Sequence, residues 1–225
     1  MNWEDECYLL SKRKFRENAN IINVFSKNRG KVSGVVYGGN SRKIKNYLQI
    51  SNKLYINHNA KNENRLGYFK TELVKPVSPL YFNDKERSSA LLSISSILNM
   101  LLPDSQPNQN IYRSFEEFVN SIKLDNWVIF YIFLELSLIK DLGYDPNLEQ
   151  FKKNKSENDI QKIKIDTFTY DVPSYLIQNK IPDNISKNLI KTSLNFTRSI
   201  IQNRFFLPNN LPFPKSRILL EGYYT

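Results

Sequence analysis

The residues of this chain best suited to chemistry are cations, and they concentrate in its first third. Residues 1–78 carry 15 Lys and Arg against 6 Asp and Glu, whereas residues 79–225 carry 17 against 16. A local positive field attracts polyanions, because each phosphate that a cation neutralises releases condensed counterions. The asymmetry therefore predicts a nucleic-acid-binding surface on the first third, with a merely solvated basic face as the alternative.

Two kinds of side chain are the candidate contacts: cations for phosphates and exposed tyrosines for bases. Aromatic rings interleaved with Lys and Arg form the binding surface of proteins that hold single strands. For each tyrosine, packing at a strand edge stays the alternative, and for Lys53, Lys61 and Arg65 phosphate contact and simple solvation are equally open. The predicted DNA contacts are Lys12, Arg13, Lys14, Arg16, Arg29, Lys31, Arg42, Lys43, Lys45, Tyr55, Tyr68 and Lys70.

Catalytic groups are few and scattered along the sequence. His58 is the only histidine and has no Ser or Cys nucleophile placed with it. Cys7 is the only cysteine, alternates within a strand pattern and is typical of a small core hydrophobe. Gly38-Gly39 lacks the spacing of glycine-rich phosphate loops and predicts a turn. We therefore expect a protein that is not an enzyme and that needs no cofactor.

Length and composition predict a globular protein of one or two domains. The chain has 225 residues, of which 40% are hydrophobic and 13% aromatic, enough for a packed core. The acidic start at residues 1–6 predicts neither a secretory nor a transit peptide. The longest apolar run, residues 127–134, is far shorter than the ~20 residues that a membrane span needs. These features predict a cytoplasmic protein with no membrane partner.

The elements that must position the candidate contacts are short strands. Five β-rich runs in fewer than 80 residues, separated by turn residues, predict a small closed or partly closed barrel. Gly34 within the third run predicts a bend or a bulge. A linker at Lys75–Pro79 ends the region, because each proline disfavours regular structure before it. The predicted strands are Glu6–Lys12, Ile21–Ser26, Lys31–Tyr37, Lys53–His58 and Leu66–Val74.

Strand parity predicts which side chains face outward. Alternation in the last run places Phe69, Thr71 and Leu73 on one face and Tyr68 and Lys70 on the other. In the fourth run, Leu54 and Ile56 oppose Tyr55. An apolar inner face therefore leaves Tyr55, Tyr68 and Lys70 outside, beside a predicted basic loop at residues 42–45.

After the linker the apolar period changes from 2 to 3.6 residues, which predicts helices. An apolar stripe from Leu91 to Leu102 ends at Pro103. The helix at Asn126–Leu142 is apolar almost all round and is expected to be the buried centre of the body. Residues 147–182 differ in character and include one alternating strand. The remaining predicted elements are helices at Ile111–Lys123 and Ile185–Phe206 and the strand Lys162–Phe168.

Short motifs follow one another along nearly the whole chain in a recognisable order, although residues 147–182 match poorly. The most specific is Val24-Phe25-Ser26-Lys27 followed by residues 30–39. In order and spacing these motifs resemble the RecO family of bacterial recombination mediators, in their alphaproteobacterial form. The others are residues 8–18, Arg42-Lys43, Leu134-Glu135-Leu136 with Leu138, Leu142-Gly143-Tyr144, Phe196-Thr197-Arg198, Leu211-Pro212 and Lys215-Ser216-Arg217.

The resemblance implies an α+β, two-domain fold and a role in DNA repair by homologous recombination. Residues 1–78 would form an OB-fold that binds nucleic acid, and residues 79–225 a mostly helical domain with a small degenerate zinc-finger-like lobe around 147–182. Such proteins bind single-stranded and double-stranded DNA and anneal complementary strands, including strands coated by single-stranded-DNA-binding protein. They act with RecR and, indirectly, with RecA, so the resemblance also implies association with the bacterial nucleoid.

Two departures from the family pattern change these expectations. Many relatives carry a cysteine cluster shortly after the Gly-Tyr of the central helix, but no cysteine follows Gly143-Tyr144 here. A structural zinc needs about four N or S ligands, so we expect no zinc and a lobe held by packing alone. Some relatives also place arginines where Ile132 and Phe133 stand. Which groove, if any, takes the acidic tail of single-stranded-DNA-binding protein therefore stays open.

Two functions of other classes remain as alternatives. An OB-fold RNA-binding module of a ribosomal or RNA-processing complex would show the same charge asymmetry, because it also binds phosphates. A structural adaptor would use the basic first third to contact an acidic protein. A preference for structured RNA would favour the first alternative, and indifference to nucleic acid at physiological salt the second.

Overall fold

The chain folds into two compact units, residues 1–112 and 113–225. The computed structural model describes residues 2–60, 66–152, 156, 159–182 and 184–225. The boundary between the units falls within one helix, α3 (Gln109–Ser121), which begins in the first unit and continues into the second. The two units are described separately below.

A closed five-stranded barrel forms most of the first unit. The strands follow one another in the order β1-β2-β3-β5-β4, and β4 closes the barrel on β1. Every pairing is antiparallel except that of β3 with β5. This is the predicted OB-fold, a five-stranded Greek-key barrel. The strands are β1 (Asn2–Arg16), β2 (Ala19–Ser26), β3 (Gly30–Tyr37), β4 (Lys53–Asn59) and β5 (Tyr68–Lys75).

The interior of the barrel confirms the parity prediction at most positions. Leu54, Ile56 and Phe69 are buried in its core, together with Cys7, Leu9, Ile22, Val24, Val36 and Leu48. Leu73 was expected to face inward, but its side chain is exposed. The reason is that β5 pairs with β3 only at Tyr68, so no strand covers the last residues of β5 on that side.

The pairing of β3 with β2 shows no bulge at Gly34, which was one of the two features predicted there. The register between β2 and β3 runs from Ala19–Tyr37 to Ser26–Gly30 without a shift. A Cβ at Gly34 would lie 2.5 Å from the ring of Phe69. Glycine is therefore required here because the Phe69 ring fills the barrel interior against the bare backbone of β3.

The basic segment after β3 is a helix and not the predicted loop. Helix α1 (Arg42–Tyr47) begins at Ser41, whose hydroxyl accepts a hydrogen bond from the backbone N–H of Ile44 at 3.4 Å. Its far end is held by Tyr47, whose hydroxyl donates to the carbonyl of Thr71 on β5 at 2.7 Å. A serine cap and one tertiary hydrogen bond thus order a six-residue helix that would be marginal alone.

The first compact unit extends past the barrel to include a long helix. A short 3₁₀ turn (Ser78–Tyr81) leads into α2 (Lys85–Leu101). Two side-chain hydrogen bonds join α2 to the barrel, from Asn23 to Asn99 at 2.7 Å and between Ser51 and Ser95 at 2.9 Å. The packing of α2 on the barrel explains why this unit ends only at Tyr112.

The second unit surrounds a buried helix, as the sequence predicted. Helix α4 (Trp127–Asp141) buries residues on every side, including Ile132, whose exposure is 0%. Helices α5 and α7 and strand β7 were not predicted. The other elements are the 3₁₀ turn Leu148–Phe151, β6 (Ile160–Ile165), β7 (Phe168–Pro173), α5 (Ser174–Gln178), α6 (Lys187–Ile201), a π-helical turn Gln202–Phe206, and α7 (Lys215–Gly222).

The lobe at residues 147–182 is fastened by polar contacts as well as by packing. Strands β6 and β7 form a hairpin whose turn contains Asp166. The Tyr144 hydroxyl donates to the Asp166 carboxylate at 2.9 Å, and Arg204 pairs with the same carboxylate while its guanidinium lies 4.5 Å from the Tyr144 ring. The expectation of packing alone was therefore wrong, because this Tyr144–Asp166–Arg204 clamp ties the hairpin to the π-helical turn.

A fully buried ion pair lies at the centre of the second unit. Arg217 and Glu135, both 0% exposed, form a bidentate pair with N–O distances of 2.7 and 3.1 Å. Thr197 and Tyr131 donate to the same carboxylate, and Arg217 also reaches Glu221 at 3.2 Å. Burial by itself lowers the pKa of Arg217, but Glu135, Tyr131 and Glu221 together outweigh burial and raise the pKa overall. The central-helix motif of Glu135 and the two C-terminal motifs of Thr197 and Arg217 meet in this network.

Candidate nucleic-acid interface

The outer face of the barrel carries two parallel rows of side chains, each with an arginine at one end and a tyrosine at the other. In the first row Arg13 on β1 pairs with Ile21, Ile21 with Val35, and Val35 with Tyr68 on β5. In the second row Arg16 pairs with Ala19, and Ala19 with Tyr37. Residues opposed across neighbouring strands share a face. We call this surface the arginine–tyrosine face.

The middle of the arginine–tyrosine face is a small apolar floor. Ala19, Ile21 and Val35 form their own buried cluster, separate from the barrel core. At its edge Tyr37 is 59% exposed and Tyr68 41% exposed, with ring centroids 6.4 Å apart. Both rings therefore keep a large surface open to solvent. Such rings are suited to stacking on the unpaired bases of a single strand.

The arginines lie on the opposite side of this floor from the tyrosines. Arg13 is exposed, and three strand spacings separate it from Tyr68, which amounts to roughly 14 Å. Arg16 is also exposed, and its guanidinium lies 5.2 Å from the ring of Phe15. A nucleic-acid strand crossing the face would thus meet guanidinium groups on one side and exposed tyrosine rings on the other.

A second group of cations, the basic rim, lies where β1, the turn after it and α1 meet. The rim consists of Lys12, Lys14, Arg42, Lys43 and Lys45. Hydrogen bonds join the segments that carry them: the N–H of Gly38 donates to Asn18 at 2.8 Å, and the Asn40 amide donates to the Glu17 carbonyl at 2.7 Å. The structure therefore brings the predicted cations of β1 and α1 to one end of the barrel.

Lys12 connects the rim to the end of α1. Its ammonium donates to the carbonyl of Leu48 at 2.8 Å. Partial burial lowers the pKa of Lys12, and the positive charge of Lys45 lowers it further. An added negative charge would relieve this repulsion between the two ammonium groups, as a phosphate placed between them would do.

Two predicted contacts, Arg29 and Lys31, lie apart from the rim. Arg29 is on the β2–β3 turn, 5.9 Å from the ring of Trp3 near the start of β1. Lys31 is engaged within the protein: its ammonium donates to the carbonyl of Asn99 at 3.0 Å and pairs with Asp104 at 3.2 Å. The geometry of Lys31 thus assigns it to the attachment of the segment after α2.

Tyr55 lies among carboxylates. It is opposed by Glu6 on β1 and by Glu72 on β5. The Tyr55 hydroxyl donates a hydrogen bond to the Glu4 side chain. This hydrogen bond is the main cause of the raised pKa of Tyr55, followed by burial and by the charges of Glu4 and Glu72. An acidic setting repels phosphates, so these carboxylates disfavour a phosphate contact at Tyr55, even though Lys70 is opposed to Asn57, two residues along β4.

The remaining candidates have varied surroundings. Lys70 is exposed two residues after Tyr68, on the same side of β5, and so extends the arginine–tyrosine face. Lys53 pairs with Glu6 at 2.8 Å. Lys61 and Arg65 lie outside the described residues.

In the second unit, Phe133 packs edge-on against Tyr175, with ring centroids 6.2 Å apart.

Sequence reasoning missed Tyr37, the most exposed tyrosine of the arginine–tyrosine face. A usable signal was present, because Tyr37 has the same strand parity as Val35, whereas Val36 belongs to the barrel core. The apolar floor could not be predicted from the sequence. Its residues are buried on the outer face of the barrel, and that burial depends on which strands are neighbours. Tyr68 was predicted as an outward ring without knowledge of its partner.

The described part of the chain offers little for catalysis or metal binding. Within it, no group of three or more His, Cys, Asp or Glu side chains is placed to hold a metal ion. His58 stacks on Trp3 with ring centroids 4.9 Å apart, and burial is the main cause of its lowered pKa. Burial also raises the pKa of Cys7 well above its usual range. Among the described helices none is long and apolar enough to cross a membrane.

Replacing Tyr37 and Tyr68 together with Ala should weaken single-strand binding more than duplex binding. Stacking contributes roughly 1–3 kcal/mol per base, and the bases of a duplex are already stacked. Titration of fluorescein-labelled single and double strands measures both affinities. Tyr55→Ala is the matched control, because it removes a tyrosine of the same barrel from an acidic setting. Equal losses for the two DNA forms would contradict a stacking role.

Comparison with known proteins identifies the family to which the chain is similar. Residues 1–77 match the family model described as "Recombination protein O N terminal", and residues 83–164 match "Recombination protein O C terminal". A protein of Wolbachia sp. subsp. Drosophila simulans, named "DNA repair protein RecO", is 29% identical over 98% of this chain and 99% of its own length. The Roseobacter denitrificans protein of that name is 30% identical over 71% of this chain and 67% of its own length. The chain therefore belongs to the RecO family of bacterial DNA repair proteins.

Proposed function

We propose that this protein binds single-stranded and double-stranded DNA and anneals complementary strands, including strands coated by single-stranded-DNA-binding protein. Acting with RecR, it would help to load RecA onto such strands. The observation that carries the proposal is the arginine–tyrosine face beside the basic rim, in a chain of the RecO family. Among the residues that the structure describes, no feature favours the alternative of an RNA-binding module over this proposal.

The proposed mechanism is physical and needs no bond to be made or broken. Two complementary strands repel each other through their phosphates, and cations placed along a bound strand screen that repulsion. Arg13 and Arg16 would hold phosphates while Tyr37 and Tyr68 stack on unpaired bases. Neighbouring bases then stay open to a second strand, and the duplex leaves the tyrosines once its own stacking begins.

The test is the annealing of complementary oligonucleotides that are both coated with the cognate single-stranded-DNA-binding protein. The wild-type protein should accelerate annealing, and the variant Arg42→Ala/Lys43→Ala/Lys45→Ala should lose most of that acceleration. No acceleration by the wild type would contradict the proposal. A preference for structured RNA over single-stranded DNA in direct competition would favour the RNA alternative.

A further inference from the structure

A pocket in the first unit lies beside the basic rim and has no role in the contacts described so far. It has a volume of about 390 Å³ and lies between the end of α1, the 3₁₀ turn and α2. This volume is within the usual range of ligand pockets, roughly 300–1,000 Å³. Its polar lining comes from Asn46, Gln49, Ser78 and Ser88, and its apolar lining from Ile50, Pro79, Phe82 and Leu92.

The lining of the pocket combines a stacking surface with hydrogen-bonding groups. Phe82 on its wall is 84% exposed, so most of its ring surface is open to solvent. Asn46 and Gln49 supply amides, each able to donate and accept, as the edge of a base requires. Ser78 adds a hydroxyl group, whereas the hydroxyl of Ser88 already donates to the backbone carbonyl of Tyr81. A flat ring with polar edges fits such a pocket better than an aliphatic side chain does.

The charges next to the pocket indicate what its occupant is attached to. Arg42 and Asn46 are four residues apart on α1 and therefore lie on one side of that helix. The amide of Gln49 donates to the carbonyl of Lys45 at 3.0 Å, which places the pocket wall directly after the cations of α1. A chain of phosphates following Arg42 and Lys45 would arrive at the pocket mouth.

We infer that this pocket receives one unstacked base of a single DNA strand whose phosphates lie on α1. The inference rests on the proposed function and deepens it, because it adds a second base-binding point beyond Tyr37 and Tyr68. Phe82 stacks on the base, and the amides of Asn46 and Gln49 contact its edge. A duplex has no free base to offer, so the pocket favours single strands.

The test uses Phe82→Ala in the full chain, with fluorescein-labelled oligothymidine and a duplex of equal length. The single-strand dissociation constant should rise about 5- to 100-fold, the loss of one stacked base. Duplex affinity and the salt dependence of single-strand binding should not change, because no phosphate contact is lost. Phe82→Trp should keep the wild-type affinity. Leu80→Ala is the control, since Leu80 is 67% exposed on the neighbouring turn and does not line the pocket.

The remaining outcomes separate this inference from the proposed function. An unchanged single-strand affinity for Phe82→Ala, together with weaker binding by the Tyr37→Ala/Tyr68→Ala variant, would overturn the pocket and leave the proposed function standing. A wild-type protein that binds no single strand would overturn both. If Phe82→Ala changed only self-association in sedimentation velocity, the occupant would be another protein chain and the inference would be wrong.

Discussion

Arg217→Ala should lower the free energy of unfolding of the second unit by about 3–5 kcal/mol, the usual cost of removing one partner from a buried ion pair. Arg217 and Glu135 are both inaccessible to solvent, and the guanidinium donates to the carboxylate through two nitrogens. Without Arg217 the carboxylate stays buried, and the donors Thr197 and Tyr131 compensate only part of its charge. Urea denaturation followed by circular dichroism measures the loss.

Two further variants sharpen this test. Arg217→Lys should recover little of the stability, because an ammonium cannot form the bidentate contact that a planar guanidinium forms. Lys140→Ala is the control: Lys140 is half exposed and pairs with Asp145 at 3.7 Å, an arrangement worth about 1 kcal/mol or less. A loss below about 1 kcal/mol for Arg217→Ala would show that the network is not the anchor of this unit.

Replacing Arg42, Lys43 and Lys45 together with Ala should weaken single-strand binding by up to about 100-fold at 0.1 M salt. Each phosphate contact with a single strand contributes a slope of about −0.7 to the plot of log affinity against log salt concentration. Loss of three contacts should therefore flatten the plot by up to about 2 units. All three side chains are exposed on α1, so the fold should not depend on their charge.

The matched control removes three exposed cations from other places. Lys85→Ala/Lys187→Ala/Lys215→Ala lowers the net charge of +10 by the same amount but leaves α1 intact. Binding measured between 50 and 400 mM salt should keep the wild-type slope in this control. Equal slopes for both triple variants would mean that net charge, and not the basic rim, attracts the strand.

The barrel was predictable because its pattern is local. Alternation in five runs, with Gly or Asn at the turns, placed all five strands and the inward positions of Leu54, Ile56 and Phe69. Helix α1 was not predictable in the same way. Its six residues contain too few turns to show a helical period, and a hydrogen bond to Thr71, distant in sequence, holds its end. The hairpin partner β7 and helix α7 were missed for the same reason of length.

The site was predictable in composition but not in arrangement. Charge asymmetry identified the cations of β1 and α1, which the fold brings to one end of the barrel. Parity placed Tyr55 and Tyr68 outward, but parity does not say which residues neighbouring strands present. Register decides that: Tyr68 is next to Val35, whereas Tyr55 is between Glu6 and Glu72. Lys31 is likewise engaged by Asp104, a residue 73 positions later.

The family motifs of the second unit identified residues but not the contacts between them. Glu135, Thr197 and Arg217 belong to three separate motifs, and nothing in their spacing indicates that they touch. In the structure they share one carboxylate at the centre of the second unit. Glu135, Thr197 and Arg217 therefore have a structural role, since their hydrogen bonds hold the helices of the second unit together.

The Tyr144–Asp166–Arg204 clamp has a consequence for how the lobe responds to its surroundings. A lobe stapled by metal-bound thiolates opens when a chelator takes the metal or an oxidant attacks the sulfur. The clamp is built from a phenol, a carboxylate and a guanidinium, so it depends on neither a bound metal nor a thiolate. Its hairpin would stay closed during oxidative stress, a condition that damages DNA and in which a repair protein has the most work to do.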